Sequence, residues 1–287
     1  MANIVGNQFG GRWTEKKLEI LKRYLDAYTT ALKGKIFRLL YIDAFAGTGR
    51  VGQETPDPDQ NDRRKFIDGS AKVASSIKDK PFDELIFIEK DEYKCLELET
   101  LKSDRPDRNI RIEKADANQY LRNLQRDWQR CRGVLFLDPF GAQVDWTTIE
   151  AIAGYKALDT WILFPTSTII RMLPRSRIPD DISPKWASTL TRVYGDESTW
   201  RVIYQESMQT EMFDNERRLE REAGAEKLIN IYKDRLKELF GDRFLDRSKT
   251  LKNSRNSPLY EFMFCVGSDR PAAIKLAKRI ANHLLDL

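Results

Sequence analysis

The stretch YIDAFAGTGR, residues 41–50, leads directly from an apolar run into a turn that contains two glycines. The run begins at Ile36 and is bounded by Gly34 and Gly47, so its length fits a strand that is buried on both faces. Asp43 lies near its end. This arrangement is typical of a nucleotide-binding turn after the first strand of an α/β unit, but it also fits a tight corner in a buried sheet.

An amphipathic helix is predicted before this strand, within residues 1–35. Its apolar residues recur at spacings of three and four, at Leu18, Leu21, Leu25, Tyr28 and Leu32. Thr14 is a candidate N-cap and Gly34 a stop signal.

Strand and helix patterns alternate after the turn. The polar, Pro- and Asp-rich segment 51–70 is predicted to be a long loop that leads into a helix. Four further strands are predicted, at residues 83–91, 109–116, 133–140 and 158–165. Five strands that alternate with helices indicate a doubly wound α/β fold, with a mostly parallel sheet covered on both faces.

We expect a single domain over residues 1–287, with the core of the fold at 36–165. Residues 166–240 are basic, interrupted by prolines and then strongly helical, which predicts a helical insertion after the fifth strand. Residues 241–287 are expected to form a hairpin around an Asn/Ser/Pro turn and a closing helix that Pro271 begins.

Composition excludes several classes of function. No apolar run approaches the roughly 18 residues of a membrane span, and the start lacks a secretory pattern, so we expect a cytoplasmic protein without membrane contact. Cys95, Cys131 and Cys265 lie far apart without a CxxC pair, so neither a metal site nor a disulfide framework is expected. The single histidine, His283, leaves Ser-His-Asp and Cys-His mechanisms without a base. The net charge of +5 fits an anionic partner or simply a solvated charged surface.

Acidic and glycine residues collect at the carboxyl ends of the predicted strands, where doubly wound sheets bind ligands. A single strand-end Asp is more often a helix cap, but such residues on four successive strands indicate a site. They are Asp43, Phe45, Gly47 and Gly49 after the first strand, Glu89 and Asp91 after the second, Asp116 after the third, and Asp138 and Pro139 after the fourth.

The order of these motifs, DAFAGTG, FIEKD, KADA and FLDPFG, resembles that of class I S-adenosylmethionine-dependent methyltransferases. More closely, WTEKKLEILKRYLDAYTTALK, YIDAFAGTG, LDPFGAQVDW and WILFP resemble the three-Cys-motif partner family, a methyltransferase-like group often encoded beside a radical-type iron–sulfur protein. The likeness is strongest over residues 13–165 and weaker at SPLYEF. It implies a Rossmann-like class I methyltransferase fold, S-adenosylmethionine as cofactor, and a three-Cys-motif iron–sulfur protein as a candidate partner.

The resemblance assigns cofactor roles by motif position. Asp43 would accept from the ammonium of the methionine part, directly or through water, and Glu89 from both ribose hydroxyls. Asp116 and the backbone of Ala117 would read the adenine amino edge, and Phe45 belongs to the same set.

Gly47 and Gly49 would let the backbone pass close to a ligand. The turn GTGRVG formally fits the dinucleotide pattern GxGxxG, yet the polar segment intervenes before the next helix, and the Gly-Lys-Ser/Thr of a phosphate loop is missing. A nicotinamide or nucleotide site and a purely structural turn stay as alternatives.

Asp138, Pro139 and Phe140 resemble the Asp-Pro-Pro-Tyr turn of nucleic-acid amino-methyltransferases, in which the Asp holds the target amino group and the aromatic ring stacks on the base. The second proline is missing and Gly141 follows, but DPFG also occurs in a group of tRNA guanine-amino dimethyltransferases. The alternative is that Asp138 caps the turn and Phe140 lies in the core.

Basic residues and tryptophans suggest nucleic-acid contact. Arg171, Arg175 and Arg177 follow the fifth strand, where substrate loops often lie. Further candidates for a phosphate-binding rim with stacking surfaces are Arg63, Arg64, Lys65, Lys249, Lys252, Arg255, Trp146 and Trp161. Each cluster also fits a solvated face, and the tryptophans also fit the core.

These observations predict a methyltransferase that acts on an amino nitrogen, on a nucleic-acid base (DNA or RNA). The alternative is a non-catalytic or accessory module that binds the cofactor and docks to the iron–sulfur partner through the charged helical segment 215–240. A nuclease is a third hypothesis, but it lacks a carboxylate cluster outside the expected cofactor site.

Overall fold

The structure is a computed structural model that describes residues 12–32, 34–48, 50–52, 66–173, 181–205 and 217–287. The helices are α1 (Arg12–Ala31), α2 (Ser70–Ser75), α3 (Glu92–Ser103), α4 (Ala117–Arg122), α5 (Trp146–Tyr155), α6 (Thr166–Met172), α7 (Pro184–Tyr194), α8 (Glu197–Gln205), α9 (Arg217–Phe240) and α10 (Pro271–Leu284). The strands are β1 (Arg38–Asp43), β2 (Arg50–Gly52), β3 (Phe66–Asp68), β4 (Glu84–Glu89), β5 (Ile110–Lys114), β6 (Cys131–Leu137), β7 (Leu158–Phe164), β8 (Phe244–Lys252) and β9 (Pro258–Cys265). Among the described helices, none is long and apolar enough to cross a membrane.

Seven strands form one sheet in the order β5-β4-β1-β6-β7-β9-β8. The five strands from β5 to β7 are parallel, and β9 runs antiparallel to both β7 and β8. The chain winds outward from β1 in one direction and from β6 in the other, so the strand order reverses between these two neighbours. Their carboxyl ends therefore border the crevice in which doubly wound sheets bind ligands.

The central strands approach closely because one residue has no side chain. A Cβ atom at Gly133 of β6 would lie 2.6 Å from the carbonyl oxygen of Leu40 in β1 and 2.9 Å from the Leu158 side chain in β7. Every residue of β7 is buried. The central parallel strands therefore have a hydrophobic core on each face.

The two cores divide the helices between the faces. Helices α1, α2, α3 and α10 pack on one face. Helices α4, α5, α7, α8 and α9 pack on the other, where the Tyr232 ring of α9 lies 4.4 Å from that of Phe164 and 5.7 Å from that of Trp146, centroid to centroid. The helices of residues 166–240 therefore share a core with the sheet.

A buried carboxylate joins α1 to the sheet at the edge opposite the crevice. The Tyr24 hydroxyl donates a hydrogen bond of 2.6 Å to Oδ2 of Asp159, near the start of β7. The Gly267 backbone N–H donates one of 2.7 Å to Oδ1. Burial raises the pKa of Asp159 to about 6, and these two hydrogen bonds oppose the rise.

Three expectations require correction. The ends of segment 51–70 are not simply loop, because β2 and β3 pair as an antiparallel ribbon. Thr14 is not an N-cap, since α1 already begins at Arg12. Trp146 and Trp161 are 4% and 0% exposed, so they belong to the core and offer no stacking surface.

Candidate functional site

A cavity of about 600 Å³ opens at the carboxyl ends of β1, β4, β5 and β6. This size is typical of small-molecule sites. Its lining includes the predicted residues Phe45, Gly47, Glu89, Asp116, Ala117, Asp138, Pro139 and Phe140. Residues that are distant in the sequence are thus brought to one cavity.

The glycine turn and the acid of β4 are linked. Gly47 has φ +61°, in the left-handed region that favours glycine, and a Cβ there would meet no atom within 4 Å. Its N–H donates to Oε2 of Glu89 at 3.0 Å, while Oε1 accepts from the N–H groups of Lys90 and Asp91 at 2.8 and 2.9 Å. Since a carboxylate oxygen can accept two hydrogen bonds, Oε2 keeps capacity for a ligand hydroxyl.

Asp116 both caps a helix and lines the cavity. Its Oδ1 accepts from the Gln119 N–H at 3.1 Å as the N-cap of α4, and its Oδ2 lies 4.0 Å from Nζ of Lys90. Asp91 caps α3 in the same way and does not line the cavity. The capping role that strand-end aspartates often have is therefore present, and at Asp116 the second oxygen forms a long ion pair with an exposed lysine of the cavity.

Asp43 lies directly behind the cavity wall. It is fully buried, and its neighbours Ala44 and Phe45 line the cavity. Its Oδ2 accepts from the Tyr41 hydroxyl at 3.3 Å, whereas Oδ1 has no hydrogen-bond partner among the described residues. Burial raises the pKa of Asp43 to about 7, hydrogen bonds from Ser70 and Tyr41 oppose the rise, and the charge of Asp138 adds to it.

The turn formed by Asp138, Pro139 and Phe140 faces the cavity. Oδ2 of Asp138 forms an ion pair with Nζ of Lys17 in α1. Phe140 is 71% exposed at the cavity and so does not lie in the core, and its N–H donates to Oε1 of Gln143 at 2.9 Å. The turn therefore presents a carboxylate inside the cavity and an aromatic ring at its mouth.

The first turn of α1 is the part of the site that the sequence analysis missed. Trp13, Thr14 and Lys17 all line the cavity, as does Tyr260 at the start of β9. The Trp13 and Tyr260 rings lie 5.1 Å apart at 30°, and Nζ of Lys17 lies 5.0 Å from the centroid of the Trp13 ring. Thr14 lies four residues before Leu18, and Lys17 lies four residues before Leu21, so polar residues on an apolar helix face were the available signal.

Further cations surround the cavity. Lys90, Lys94 and Arg192 line it, and Arg192 pairs with Asp145 at 3.0 Å. Arg171 of α6 donates to Thr168 at 3.2 Å and does not line the cavity.

The other predicted basic residues have separate locations. Lys249 donates to the Leu285 carbonyl at 2.9 Å, while Lys252 and Arg255 lie exposed at the hairpin whose β9 end reaches the cavity edge. Outside the described residues lie Gly49, Arg63, Arg64, Lys65, Arg175 and Arg177. No group of three or more His, Cys, Asp or Glu side chains in the described ranges could hold a metal ion.

The sequence matches no protein family and no curated protein. Among solved structures, protein LPL1258 from Legionella pneumophila is similar over 94% of this chain and 92% of its own, with 11% identity and a TM-score of 0.47. Trm1 from Pyrococcus horikoshii, solved in complex with S-adenosyl-L-methionine, is similar over 99% of this chain and 60% of its own, with 11% identity and a TM-score of 0.44. The putative methyltransferase YhhF from Escherichia coli is similar over 53% of this chain and 72% of its own, with 16% identity and a TM-score of 0.32.

The sheet itself confirms the predicted fold class. Five parallel strands wind in two directions from the crevice between β1 and β6, and the antiparallel β9 lies between β7 and β8. The chain has a Rossmann-like class I methyltransferase fold.

Proposed function

We propose that the protein is an S-adenosylmethionine-dependent methyltransferase that acts on an amino nitrogen of a nucleic-acid base. One observation carries this proposal: a single turn presents the Asp138 carboxylate in the cavity and the exposed Phe140 ring at its mouth. The same cavity carries Glu89 and Asp116, which suit the adenosine part of the cofactor.

The donor set of the cavity fits the cofactor. Oε2 of Glu89, 3.9 Å from Nζ of Lys94, can accept a further hydrogen bond from the ribose hydroxyls, and Oδ2 of Asp116 with the backbone of Ala117 suits the adenine amino edge. The unpartnered Oδ1 of Asp43 suits an ammonium, directly or through a water molecule. When bound, S-adenosylmethionine supplies a methyl group that its sulfonium already activates.

The residues of the turn then have to bind and orient the acceptor. Asp138 accepts an N–H of the amino group, which directs the nitrogen lone pair, and Phe140 stacks on the base. Alignment of this kind contributes much of the rate of a bimolecular transfer, so little acid–base chemistry is required and the scarcity of histidine is no obstacle. The cations Lys90 and Arg192 at the cavity suit backbone phosphates.

A second candidate follows from the ion pair between Lys17 and Asp138. Because the chain's own ammonium occupies the carboxylate that an acceptor amine needs, an accessory protein that binds the cofactor without transferring its methyl group is consistent with this geometry. In that case the charged segment 215–240, which contains α9, is the proposed docking surface for a three-Cys-motif iron–sulfur partner.

The two candidates separate by experiment. We expect calorimetry to detect binding of both S-adenosylmethionine and S-adenosylhomocysteine, and radiolabelled methyl to be transferred to DNA or RNA rather than to total protein. Phe140→Ala should lower transfer at least tenfold while cofactor affinity stays within about threefold, because its side chain is assigned to the base alone. Asp138→Asn should lower transfer at least tenfold at saturating cofactor, where any change in cofactor affinity through its ion-pair partner Lys17 no longer matters.

Tyr93→Ala is the matched control, since Tyr93 is 69% exposed and does not line the cavity. A folded protein that binds neither ligand would contradict the proposal. Cofactor binding without transfer to any of the three substrates, together with co-purification of the iron–sulfur protein, would support the accessory role instead.

A further inference from the structure

Helix α1 brings two polar residues to the cavity. Thr14 and Lys17 are three residues apart, so they lie on one face of the helix, and both line the cavity.

A second observation at the same place points to a ligand. Thr14 is 2% exposed, yet its Oγ1 has no hydrogen-bond partner in the described part of the chain. An unpaired buried hydroxyl costs about 1–3 kcal/mol, so such groups are rare unless a ligand or water satisfies them. Because Thr14 lines the cavity, a bound molecule can reach this hydroxyl.

Lys17 supplies a charge that is nearly removed from water. Its side chain is 7% exposed and its ammonium pairs with Asp138, whose side chain is 22% exposed. This pair uses one of the three ammonium donors, and no second acceptor is found among the described residues. The adjoining Trp13 and Tyr260 rings shield the ammonium from solvent, which strengthens its attraction for an anion.

We propose that Thr14 and Lys17 form a subsite for the carboxylate of an α-amino acid group, namely the methionine part of the cofactor. The assignment of the cofactor rests on the proposed function. Asp138 contacts Lys17 and lies close enough to Asp43 for its charge to act there, so the subsite lies on the same side of the cavity as Asp43. Lys17 and Asp43 then bind the carboxylate and the ammonium of the same amino acid group.

The depth of the subsite favours a carboxylate over a phosphate of a nucleic-acid strand. Thr14 and Lys17 are both more than nine-tenths buried, whereas Lys90 and Arg192 are the partly or largely exposed cations of the cavity. A carboxylate on a small ligand inside the cavity can reach the buried pair. A phosphate linked to a polymer meets the exposed cations first.

Calorimetry with two probes tests this subsite without any turnover. S-adenosylhomocysteine carries the amino acid group and an uncharged sulfur, whereas 5′-methylthioadenosine has the same nucleoside and thioether without the amino acid. We expect Lys17→Met to weaken the binding of S-adenosylhomocysteine about 10- to 100-fold and Thr14→Val to weaken it several-fold, as for hydrogen bonds to charged groups. Neither substitution should change the affinity for 5′-methylthioadenosine by more than about twofold.

Three further variants make the result specific. Lys17→Arg should keep most of the affinity for S-adenosylhomocysteine, and Lys22→Met should keep all of it, since Lys22 is exposed on the same helix and pairs with Asp26. The double variant Lys17→Met/Asp138→Asn leaves no unpaired charge. If the loss of the ammonium weakens binding, the double variant should bind S-adenosylhomocysteine as weakly as Lys17→Met does. A return to wild-type affinity would overturn the proposal.

Other outcomes are equally decisive. Equal wild-type affinities for the two probes, or equal losses of both in Lys17→Met, would overturn the carboxylate subsite while the nucleoside pocket stands. A Lys17→Met protein that binds S-adenosylhomocysteine normally but a single-stranded oligonucleotide weakly would show a phosphate contact instead. A wild-type protein that binds neither probe would contradict the proposed function itself.

Discussion

Two buried aspartates with raised pKa values lie in parallel strands of the same sheet, one at the carboxyl end of its strand and one near the amino end. Asp43, at the cavity end of β1, keeps one carboxylate oxygen without a hydrogen-bond partner among the residues that the structure describes. Asp159, near the start of β7, has both oxygens hydrogen-bonded, to Tyr24 and Gly267. The same residue type is thus left incomplete at the cavity, where a ligand can bind, and complete in the region that joins α1 to the sheet.

Asp159 makes stability depend on pH. Burial raises its pKa from 3.8 to about 6, so the folded protein binds a proton between about pH 4 and pH 6 that the unfolded chain has released. Stability from this group is therefore full below about pH 4 and is lost as the pH rises through 6, by roughly 3 kcal/mol. Asp159→Asn cannot titrate, so its free energy of unfolding relative to wild type should rise by about that amount between pH 4 and pH 7.

Chemical denaturation across this pH range measures the difference between the two proteins. The contribution of Asp43 has the same sign but is present in both proteins, so it cancels. Asp79→Asn is the control, because Asp79 is exposed and its removal should leave the pH dependence unchanged. A constant offset between Asp159→Asn and wild type at every pH would show that Asp159 is ionised in the folded protein throughout.

At the scale of elements, the same substitution should have opposite effects in a strand and in a helix. Gly133→Ala places a methyl group 2.6 Å from a backbone oxygen of β1, so β1, β6 and β7 have to separate, at a cost of about 1–3 kcal/mol or more. Gly154→Ala in α5 meets no atom within 4 Å and should stabilise the protein by about 0.5–1 kcal/mol. Thermal unfolding of the two variants should shift in opposite directions, and a neutral Gly133→Ala would mean that the strands are less closely packed.

The sequence predicted most elements because each carries a long local pattern. Four of the five parallel strands, β1, β4, β6 and β7, contain apolar runs with clear ends, and α10 begins at Pro271 as expected. Strands β2 and β3 have three residues each, too few to show a period of two, and a polar segment separates them. Thr14 is predicted to be an N-cap because its residue type suits that position, but the helix already includes Arg12, two residues before it.

At the scale of the whole molecule, we expect one cooperative unfolding transition. Tyr232 of α9 is 2% exposed, and its ring contacts those of Phe164 in β7, Trp146 in α5 and Tyr194 in α7. Tyr232→Ala should therefore lower the stability of the entire protein by about 3–5 kcal/mol, as for other large aromatic truncations. Calorimetry and circular dichroism should show a single, shifted transition, whereas early loss of helix alone would mean that residues 166–240 unfold separately.

The sequence could predict only those site residues that lie at the ends of predicted strands. Glu89, Asp116 and Asp138 lie at the end of their strands or within two residues of it, so topology brings them together once the sheet is known. The ion pair between Lys17 and Asp138 joins residues 121 positions apart and depends on where α1 docks on the sheet. No local pattern encodes that docking, which is why the Trp13, Thr14 and Tyr260 contributions emerged only from the structure.

The antiparallel direction of β9 has a consequence for how this protein can diversify. Because β9 starts where the parallel strands end, Tyr260 reaches the cavity from the hairpin of β8 and β9, near the end of the sequence. Substitutions or insertions in this hairpin can reshape the mouth while leaving β1, β4, β5 and β6 untouched. The mouth of the cavity can therefore change while Glu89, Asp116 and Asp138, which the first half of the sequence supplies, stay in place.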